Sequence, residues 1–443
     1  MSSPLRVVES AGRAGRAAVE RLVRRGEAVL DPAIARRTAK IVAAVRRGGD
    51  RELVALSHRL DGTRRTGGPA AVRAVRVAAD LALAPPPGDA GGRQLPAGFS
   101  AALERAIAAV ERYHAPQARH GYRLAEEGVE LEERVMPLSR VGIYVPGGRA
   151  TYPSTVVMTV VPARLAGVAE IVVATPPAAY HGSPALRHAL ERLQVSEVWG
   201  MGGAHAVAAL AYGTAAIRRV DKIVGPGNAW VTAAKRLVAG DVAIDGLAGP
   251  SEVVIVAGGD ADPVLAAADL LAQAEHDPRA TSVLITPLRA LARRVAAEVA
   301  RQLSGLATAA TCRAALSRFG VALVVADFAE ALDLIERIAP EHLQLVGAEA
   351  EELAGQVRAA GAVFVGGATP EVFGDYVAGP SHVLPTCGSA RFASALGVED
   401  FLRRSHVVRF TPAAAARWAA AAAVLAEAEG LPAHAAAARR RHA

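Results

Sequence analysis

The sequence predicts an α/β protein that contains parallel β-sheets flanked by helices. Between residues 141 and 252, short runs of β-branched residues are each followed by a glycine-rich turn and an alanine-rich helical stretch. A second stretch with the same alternation starts at Glu252 and continues to about residue 365. Repeated strand–turn–helix units of this kind are typical of parallel sheets covered by helices. The length of 443 residues is enough for two to four domains with sizeable cores.

The predicted elements follow one another in a regular order. Helical patterns cover residues 11–60, with an interruption at Gly48-Gly49, and residues 101–119; a Gly/Pro/Ala-rich surface segment at 62–99 separates them, and an extended stretch follows at 130–136. The predicted strands are 141–145, 171–174, 198–199, 222–224, 252–256, 282–285, 322–325, 342–346 and 362–365. Helices at 154–166, 261–275 and 331–337 alternate with these strands, and a helical tail that includes 413–429 runs from residue 398 onward.

Composition argues against several classes of protein. Apolar residues make up 52% of the chain, but no apolar run approaches the ~18 residues that a membrane span requires. The first residues, Met1 to Arg6, lack the apolar run of an export signal. Two cysteines, Cys312 and Cys387, are too few for a disulfide framework, so we expect a reducing, cytoplasmic location.

The formal net charge of +7 does not by itself indicate a nucleic-acid partner. Aromatic residues make up only 4% of the chain, and the arginines are scattered apart from Arg439-Arg440-Arg441. Proteins that bind nucleic acids usually concentrate their basic residues on one patch or stripe. We therefore expect no nucleic-acid partner and no membrane partner.

The dipeptide Glu341-His342 is the first candidate for chemistry. Pro340 disfavours helical backbone at Ala339, so the helix at 331–337 must end in a corner before the strand at 342–346. A carboxylate beside an imidazole can supply a base near neutral pH and a group that activates water. On its own, such a pair is more often a solvated surface dipeptide.

Gln273 and His276 are a second candidate pair. Their spacing places both side chains on one face of the helix at 261–275, near its C-terminal end. An amide oxygen and an imidazole nitrogen on one face can both bind a metal ion. Taken alone, the pair is more often a hydrogen-bonded polar face.

The glycine turns at 146–148, 202–204 and 225–228 each join a predicted strand to a helix. Such turns direct helix amide groups toward an anionic ligand, or they only let the helices pack closely on the sheet. No G-x-G-x-x-G fingerprint is present, so a nucleotide would be bound in a non-standard way.

A series of short motifs makes the chain similar to a known family. They are Tyr144-Val145-Pro146-Gly147-Gly148, Gly225-Pro226-Gly227-Asn228, Gly249-Pro250-Ser251-Glu252, Gln273-x-x-His276, Glu341-His342, Gly374-Asp375-Tyr376, His382-Val383-Leu384-Pro385-Thr386 and Glu429-Gly430-Leu431-x-x-His434. In this order they resemble histidinol dehydrogenase, from about residue 10 to residue 435.

The resemblance implies a fold and an assembly. It implies two incomplete Rossmann-like domains with small helical N-terminal and C-terminal segments, assembled as an intertwined homodimer. We expect the first domain, with the metal ligands and the catalytic pair, at 31–140 plus 252–395, and the NAD-binding domain at 141–251. The N-terminal helical segment would be 1–30, and a C-terminal tail at 396–443 would reach the partner subunit.

The resemblance also implies a function. It implies a zinc- and NAD-dependent, four-electron oxidation of L-histidinol to L-histidine through L-histidinal, the last steps of histidine biosynthesis. One zinc ion per subunit would be bound by Gln273, His276, Asp375 and His434. Glu341 would activate water for the second oxidation, and His342 would accept the alcohol proton.

The implied binding residues overlap with the metal ligands. The substrate contacts would be Ser251, Gln273, His276, His342, Asp375, His382, Glu429 and His434, and the NAD contacts would be Tyr144, His205 and Asn228. Two positions depart from the family pattern: His205 stands where Gln is usual, and Ser381 stands where Asn is usual.

The residue types agree with that chemistry. Four protein ligands would close a tetrahedral zinc site, so the coordination has to expand when substrate binds. The metal would then hold the substrate's imidazole and amino groups and orient the carbinol. Oxidation of the aldehyde needs its hydrate, which a carboxylate base such as Glu341 can help to form.

Two other functions remain open at this point. A relative with the same zinc set and catalytic pair could oxidise another small polyol or a sulfonated diol with NAD. A non-catalytic binding or scaffold protein is the second alternative. Glu429 and His434 favour histidinol, because they belong to the contacts that a substrate without an amine and an imidazole would not need.

Overall fold

The computed structural model describes residues 4–28, 31–62, 76–77, 95–148 and 150–441. Its strands, in chain order, are β1 (Arg6–Glu9), β2 (Arg76–Val77), β3 (Arg123–Glu126), β4 (Val129–Pro137), β5 (Arg140–Tyr144), β6 (Glu170–Thr175), β7 (Glu197–Gly200), β8 (Lys222–Val224), β9 (Ala243–Ile244), β10 (Glu252–Ala257), β11 (Thr281–Thr286), β12 (Val321–Val324), β13 (His342–Val346), β14 (Ala362–Val365) and β15 (Leu402–Phe410).

The α-helices are as follows: α1 (Arg13–Val23), α2 (Pro32–Asp61), α3 (Phe99–His114), α4 (Pro153–Leu165), α5 (Pro177–Gly182), α6 (Pro184–Arg192), α7 (Gly203–Tyr212), α8 (Ala229–Val238), α9 (Pro263–Ala274), α10 (Arg289–Leu303), α11 (Ala309–Phe319), α12 (Phe328–Ile338), α13 (Ala348–Glu351), α14 (Glu371–Tyr376), α15 (Pro412–Ala428) and α16 (Pro432–Arg439). Among the described residues, no helix combines enough length with enough apolar character to span a lipid bilayer.

Two six-stranded sheets form the framework. Sheet I has the strand order β1-β12-β11-β10-β13-β14, and all of its neighbouring strands are parallel. Sheet II has the order β2-β7-β6-β5-β8-β9 and is parallel except for the short β2. The predicted α/β class with parallel sheets flanked by helices is therefore confirmed.

Both sheets are buried on two faces, as parallel sheets require. Strands such as β5 and β10 are buried along their whole length, which explains why the sequence shows continuous apolar runs there instead of alternation. In sheet I, α9, α10 and α11 cover one face, while α1 and α12 cover the other. This double cover fixes the position of each strand end, and the candidate site is built from those ends.

The helices that precede residue 140 pack on sheet II. Leu53 of α2 is buried in one core with Trp199, and Ile107 of α3 is buried in another with Val141. This packing differs from the predicted grouping of residues 31–140 with residues 252–395. Apolar residues at helical spacing show that a helix has a buried face, but they do not show which sheet it covers.

Two strands lie in segments that were predicted to be helical. Arg6–Glu9 forms the edge strand β1 of sheet I, pairing with β12, although residues 1–30 were predicted to be helical. Leu402–Phe410 forms β15, which pairs with β4 along its whole length, although a helical tail was predicted from residue 398. Both segments are extended because they pair with strands that are distant in the sequence, so their local composition did not predict this conformation.

Other boundaries agree with the sequence. Gly49 interrupts α2 with φ +54° and ψ −137°, a backbone conformation that favours glycine, as the Gly48-Gly49 signal predicts. The helix α15 spans Pro412–Ala428, close to the predicted 413–429. Most of the segment predicted as a variable surface at 62–99 lies outside the described residues.

The two sheets face each other through opposite ends of their strands: the carboxyl ends in sheet II and the amino ends in sheet I. In sheet II, the turns that line the meeting point follow the carboxyl ends of β5 and β8. In sheet I, the residues on the other side precede or begin the strands β10 and β13. Ligands of open α/β sheets usually bind outside the carboxyl ends of strands, so sheet II supplies the standard half of a binding site.

Candidate active site

A cavity of about 570 Å³ lies between the strand ends of the two sheets. Most of the residues predicted for the site line it, namely Tyr144, Asn228, Ser251, Gln273, His276, Glu341, His342, Asp375 and His382. Three predicted residues, His205, Glu429 and His434, do not line it. Side chains that are up to 238 positions apart in the sequence are thus brought to one place by the ends of the two sheets.

Glu341 occupies the predicted corner. Ala339 ends α12 in the left-handed conformation, with φ +46° and ψ +67°, and the chain then turns through Pro340 into β13. The Glu341 side chain is buried, and its Oε2 accepts a hydrogen bond from the Glu252 N–H at 2.9 Å. Burial raises the pKa of Glu341 well above its usual range, the negative charge of Asp375 adds to this, and the positive charge of Arg25 opposes it.

His342 is a neutral imidazole with a defined tautomer. Its Nδ1 lies 3.1 Å from the carbonyl oxygen of Glu252, and since a carbonyl only accepts, Nδ1 carries the proton. Nε2 therefore keeps its lone pair. Burial lowers the pKa of His342 to about 4; the nearby His276 and His382 lower it further, while Asp375 opposes the change. The ring is available as a base at neutral pH.

The Asp375 carboxylate lies between two imidazole rings. Its Oδ2 is 4.0 Å from Nε2 of His276, and its Oδ1 is 4.0 Å from Nε2 of His342. Both separations are too long for hydrogen bonds. His276 Nδ1 donates to the Ala272 carbonyl at 3.1 Å, which leaves Nε2 as the ring nitrogen that faces Asp375.

These donors fit a divalent metal ion. A carboxylate oxygen and an imidazole nitrogen are both ligands that zinc accepts, so Asp375 and His276 would be able to hold such an ion. The bond from His276 Nδ1 to a backbone carbonyl is the usual support for a metal-binding imidazole. Within the described part of this single chain, however, no cluster of three or more His, Cys, Asp or Glu side chains is arranged to hold a metal ion.

Gln273 is buried at the end of α9 and has a partner that sequence analysis missed. The hydrogen-bond network orients its amide so that Nε2 donates to both carboxyl oxygens of Glu371, at 3.0 and 3.2 Å, while Oε1 accepts from the Glu252 N–H at 3.0 Å. Glu371 is only 1% exposed, and burial raises its pKa well above the usual range, with Asp375, Asp269 and Glu341 adding to the effect. An acidic residue in the first turn of a helix is normally read as a surface charge that favours the helix dipole, so the sequence carried no signal for this role.

His382 is held against both halves of the site. Its Nδ1 donates to the backbone carbonyl of Asp375 at 3.0 Å, and its Nε2 accepts from the Thr155 hydroxyl at 3.2 Å. Ser381, at the position where Asn is usual, is buried and donates to the Met158 carbonyl at 3.2 Å. Its hydroxyl also accepts from the Val383 N–H at 3.2 Å, so this serine shapes the backbone on which His382 sits.

On the side of sheet II, Tyr144 and Asn228 support two glycine turns. The Tyr144 hydroxyl accepts from the Gly203 N–H at 3.0 Å, and burial raises the pKa of this phenol to about 12. Asn228 caps α8 by accepting from the N–H groups of Trp230 and Val231. Gly225 has φ +106°, and a Cβ there would lie 2.2 Å from the Tyr144 carbonyl oxygen, so only glycine fits this turn.

His205 was predicted to contact NAD, but its side chain does not line the cavity. It is 1% exposed, and its Nε2 is 2.7 Å from Oδ2 of Asp61, the last residue of α2. The same carboxylate oxygen accepts from the Gly202 N–H at 3.1 Å. His205 therefore anchors Asp61 beneath the Gly202-Gly203 turn.

The two predicted residues of the C-terminal tail, Glu429 and His434, are exposed. The helix α15 that leads to them also exposes large apolar side chains, including Trp418 at 57% and Leu425 at 66%. Within one chain, the tail thus exposes apolar side chains to solvent, and its predicted metal ligand, His434, does not line the cavity.

Comparison with known proteins gives a consistent result. The sequence model described as histidinol dehydrogenase matches residues 24–442. A histidinol dehydrogenase of Synechococcus sp. is 46% identical over 411 residues, which cover 91% of this chain and 92% of the relative. One from Thermus thermophilus is 46% identical over 415 residues, which cover 94% of this chain and 96% of the relative.

A solved structure agrees with these sequence matches. The crystal structure of histidinol dehydrogenase from Elizabethkingia anophelis superposes with a TM-score of 0.85 at 28% identity, covering 100% of this chain and 98% of that one. The match of the family model over most of the chain, together with this shared architecture, shows that the chain belongs to the histidinol dehydrogenase family.

Proposed function

We propose that this protein oxidises L-histidinol to L-histidine through L-histidinal, with NAD as the electron acceptor in both steps. Membership of the family supports this reaction, and one observation on the site supports it most directly. A neutral imidazole, His342, and a buried carboxyl group, Glu341, face the same cavity from adjacent positions. Two different bases at one place are what two successive oxidations of one carbon require.

In the first oxidation, His342 accepts the proton of the alcohol. Its Nε2 faces the cavity side of Asp375, and the low pKa keeps the ring unprotonated, so that a lone pair is present when the alcohol binds. The carbinol carbon loses a hydride to NAD, which leaves the aldehyde, one NADH and one proton on the base.

In the second oxidation, Glu341 activates water. Its carboxylate takes a proton from water as the water oxygen bonds to the aldehyde carbon, and the aldehyde oxygen takes up the proton that His342 accepted in the first oxidation, which forms the hydrate. One hydroxyl of the hydrate then returns a proton to His342 as the hydrate carbon loses a hydride to a second NAD. The products are the carboxylic acid, a second NADH and two protons, one on each base, which pass to solvent. The Glu252 N–H that donates to Oε2 favours the charged form of Glu341, against the effect of burial.

The donor set supports one zinc ion per subunit. Gln273, His276 and Asp375 would bind it together with His434 of the partner subunit, and it would supply a cationic anchor for the imidazole and amino groups of the substrate. The chain's own residues orient this set: the Ala272 carbonyl fixes the ring of His276, and Glu371 holds the amide of Gln273.

The remaining contacts divide between the two sheets. We assign Ser251 and His382 to the substrate, along with Glu429 and His434 from the partner's tail. The dinucleotide would lie on the sheet II side, against Tyr144 and Asn228. His205 would affect NAD binding through Asp61 and the Gly202-Gly203 turn, because its ring does not line the cavity.

A homodimer with shared sites explains the exposed tail. Docking of α15 and α16 on a partner would cover apolar side chains that are otherwise exposed to water and would bring Glu429 and His434 to the other cavity.

Cys312 and Cys387 are both free thiols, which supports a reducing cytoplasm as the working environment.

The division of work between the two bases is testable by Glu341→Gln. We expect oxidation of histidinal to fall by about 10²–10⁴-fold, the usual effect of losing a positioned base, while oxidation of histidinol falls much less. NADH formation from each substrate under single-turnover conditions measures the two steps separately. An equal loss in both steps would show that the roles are not divided in this way.

The role of His205 is testable by two substitutions. His205→Gln keeps a donor for Asp61, so we expect no increase in the KM for NAD and no change in zinc content. His205→Ala leaves the Asp61 carboxylate with the Gly202 N–H but without its side-chain partner, and should lower the free energy of unfolding by about 1–3 kcal/mol, measured by urea denaturation. If His205→Ala instead raised the KM for NAD without any loss of stability, a direct contact with the dinucleotide would replace our assignment.

The shared site is testable by mixing two inactive variants under conditions that allow subunits to exchange. His276→Asn has a damaged cavity and an intact tail, whereas His434→Ala has an intact cavity and a damaged tail. If the tail acts in trans, a mixed dimer contains one intact site, so activity should return on mixing. Each variant mixed with itself is the control. A mixture that stays inactive although mass spectrometry detects mixed dimers would show that the tail serves its own chain.

A further inference from the structure

Glu252 connects three residues of the site through its main chain. Its N–H donates to Oε2 of Glu341 at 2.9 Å and to the amide oxygen of Gln273 at 3.0 Å. Its carbonyl oxygen accepts from Nδ1 of His342 at 3.1 Å. The orientation of both proposed bases thus depends on where the backbone of this one residue lies.

The side chain of Glu252 is buried and makes two charge-assisted contacts. Oε1 accepts from the Cys387 N–H at 2.6 Å, and Oε2 forms an ion pair with the guanidinium of Arg25. The Arg25 side chain is only 12% exposed, and burial lowers the pKa of this arginine to about 10. Buried charges of this kind carry a large desolvation cost, so removing one partner leaves the other as an uncompensated buried charge.

Arg25 reaches this position from the N-terminal part of the chain. It begins a short 3₁₀ turn, Arg25–Ala28, just after α1. Val19 and Leu22 of α1 are buried in the same core cluster as Leu343 of β13. The segment that carries Arg25 is therefore fixed to the sheet that carries the catalytic pair.

We propose that Arg25 and Glu252 are positioning residues for both oxidation steps, and that their ion pair holds the backbone of residue 252 where it orients Glu341 and His342. This inference rests on the roles proposed above for those two bases. The pair would contact neither substrate nor NAD. Its loss should therefore reduce both steps, the histidinal step at least as much as the histidinol step because the Arg25 charge also favours the ionised form of Glu341, and should leave the KM for NAD nearly unchanged.

The test compares Arg25→Ala with Arg24→Ala. Arg24 is the neighbouring arginine, but it is exposed and its ion pair within the described part of the chain is with the exposed Glu20, so its variant should keep both rates. For Arg25→Ala we expect the single-turnover rates for histidinol and for histidinal both to fall by roughly 10–100-fold per folded protein, the range seen when support for a site residue is lost. Arg25→Lys keeps a positive charge and should recover much of both rates.

Circular dichroism and thermal unfolding at the assay temperature give the folded fraction, which separates positioning from stability. Should Arg25→Ala fail to fold, Glu252→Gln carries the test, because its amide oxygen can still accept from Cys387 while the charge that pairs with Arg25 is gone. Unchanged rates in a folded Arg25→Ala or Glu252→Gln variant would overturn the proposal. So would a loss confined to one step, or a loss that only follows the unfolded fraction.

Separate variants test the positioning role of Arg25 and the roles assigned to the two bases. Glu341→Gln tests those roles directly, and its outcome does not depend on Arg25. If Glu341→Gln impaired both steps equally, the division between the bases would be wrong, yet the comparison of Arg25→Ala with Arg24→Ala would still report on positioning.

Discussion

The parallel pairing of β10 with β13 is the constraint on which the candidate site depends. Val253 lies opposite His342 in this pairing, so Glu252 is placed next to Glu341 at the edge of the sheet. Because side chains alternate between the two faces of a strand, a shift of one residue would turn His342 away from its present neighbours. The helices on both faces of sheet I hold this register, and a site at a strand end therefore inherits the rigidity of the sheet core.

The electrostatics of the cavity follow from burial. Glu341, Glu371 and Asp375 bring three carboxyl groups close together, and the charged forms of Glu341 and Glu371 are disfavoured by burial and by the negative charge of Asp375. The imidazole of His342 is kept neutral for the same reason, since burial disfavours its charged form. A divalent cation at Asp375 would relieve the repulsion between these carboxyl groups, which is why the donor set and the acidic surroundings are consistent with each other.

Much of the fold and most of the site could be predicted from the sequence, because the signals were local. Buried strands such as β5 and β10 appear as β-branched runs, and Pro340 marks the corner that carries Glu341. The edge strand β1 and the strand β15 were missed, because their pairing partners lie far away in the chain. The packing of α2 on sheet II was missed for a similar reason, since an apolar helix face does not identify its partner.

Supporting residues were the least predictable part of the site. Glu371, Arg25 and the side chain of Glu252 act through other residues, and only the folded structure brings them together. His205 was predicted to contact NAD, whereas in the folded chain its ring is buried and lies against the Asp61 carboxylate. The motifs therefore predicted most of the residues that line the cavity, but the buried polar groups that contact those residues could be identified only from the folded structure.

In the proposed reaction, one cavity carries out two oxidations of the same carbon. The most direct measurement is the amount of NADH formed per molecule of L-histidinol consumed, with the products identified by mass spectrometry. Our account predicts two NADH per histidinol, with L-histidine as the product and no free L-histidinal accumulating. One NADH per histidinol, with the aldehyde released as the end product, would contradict it.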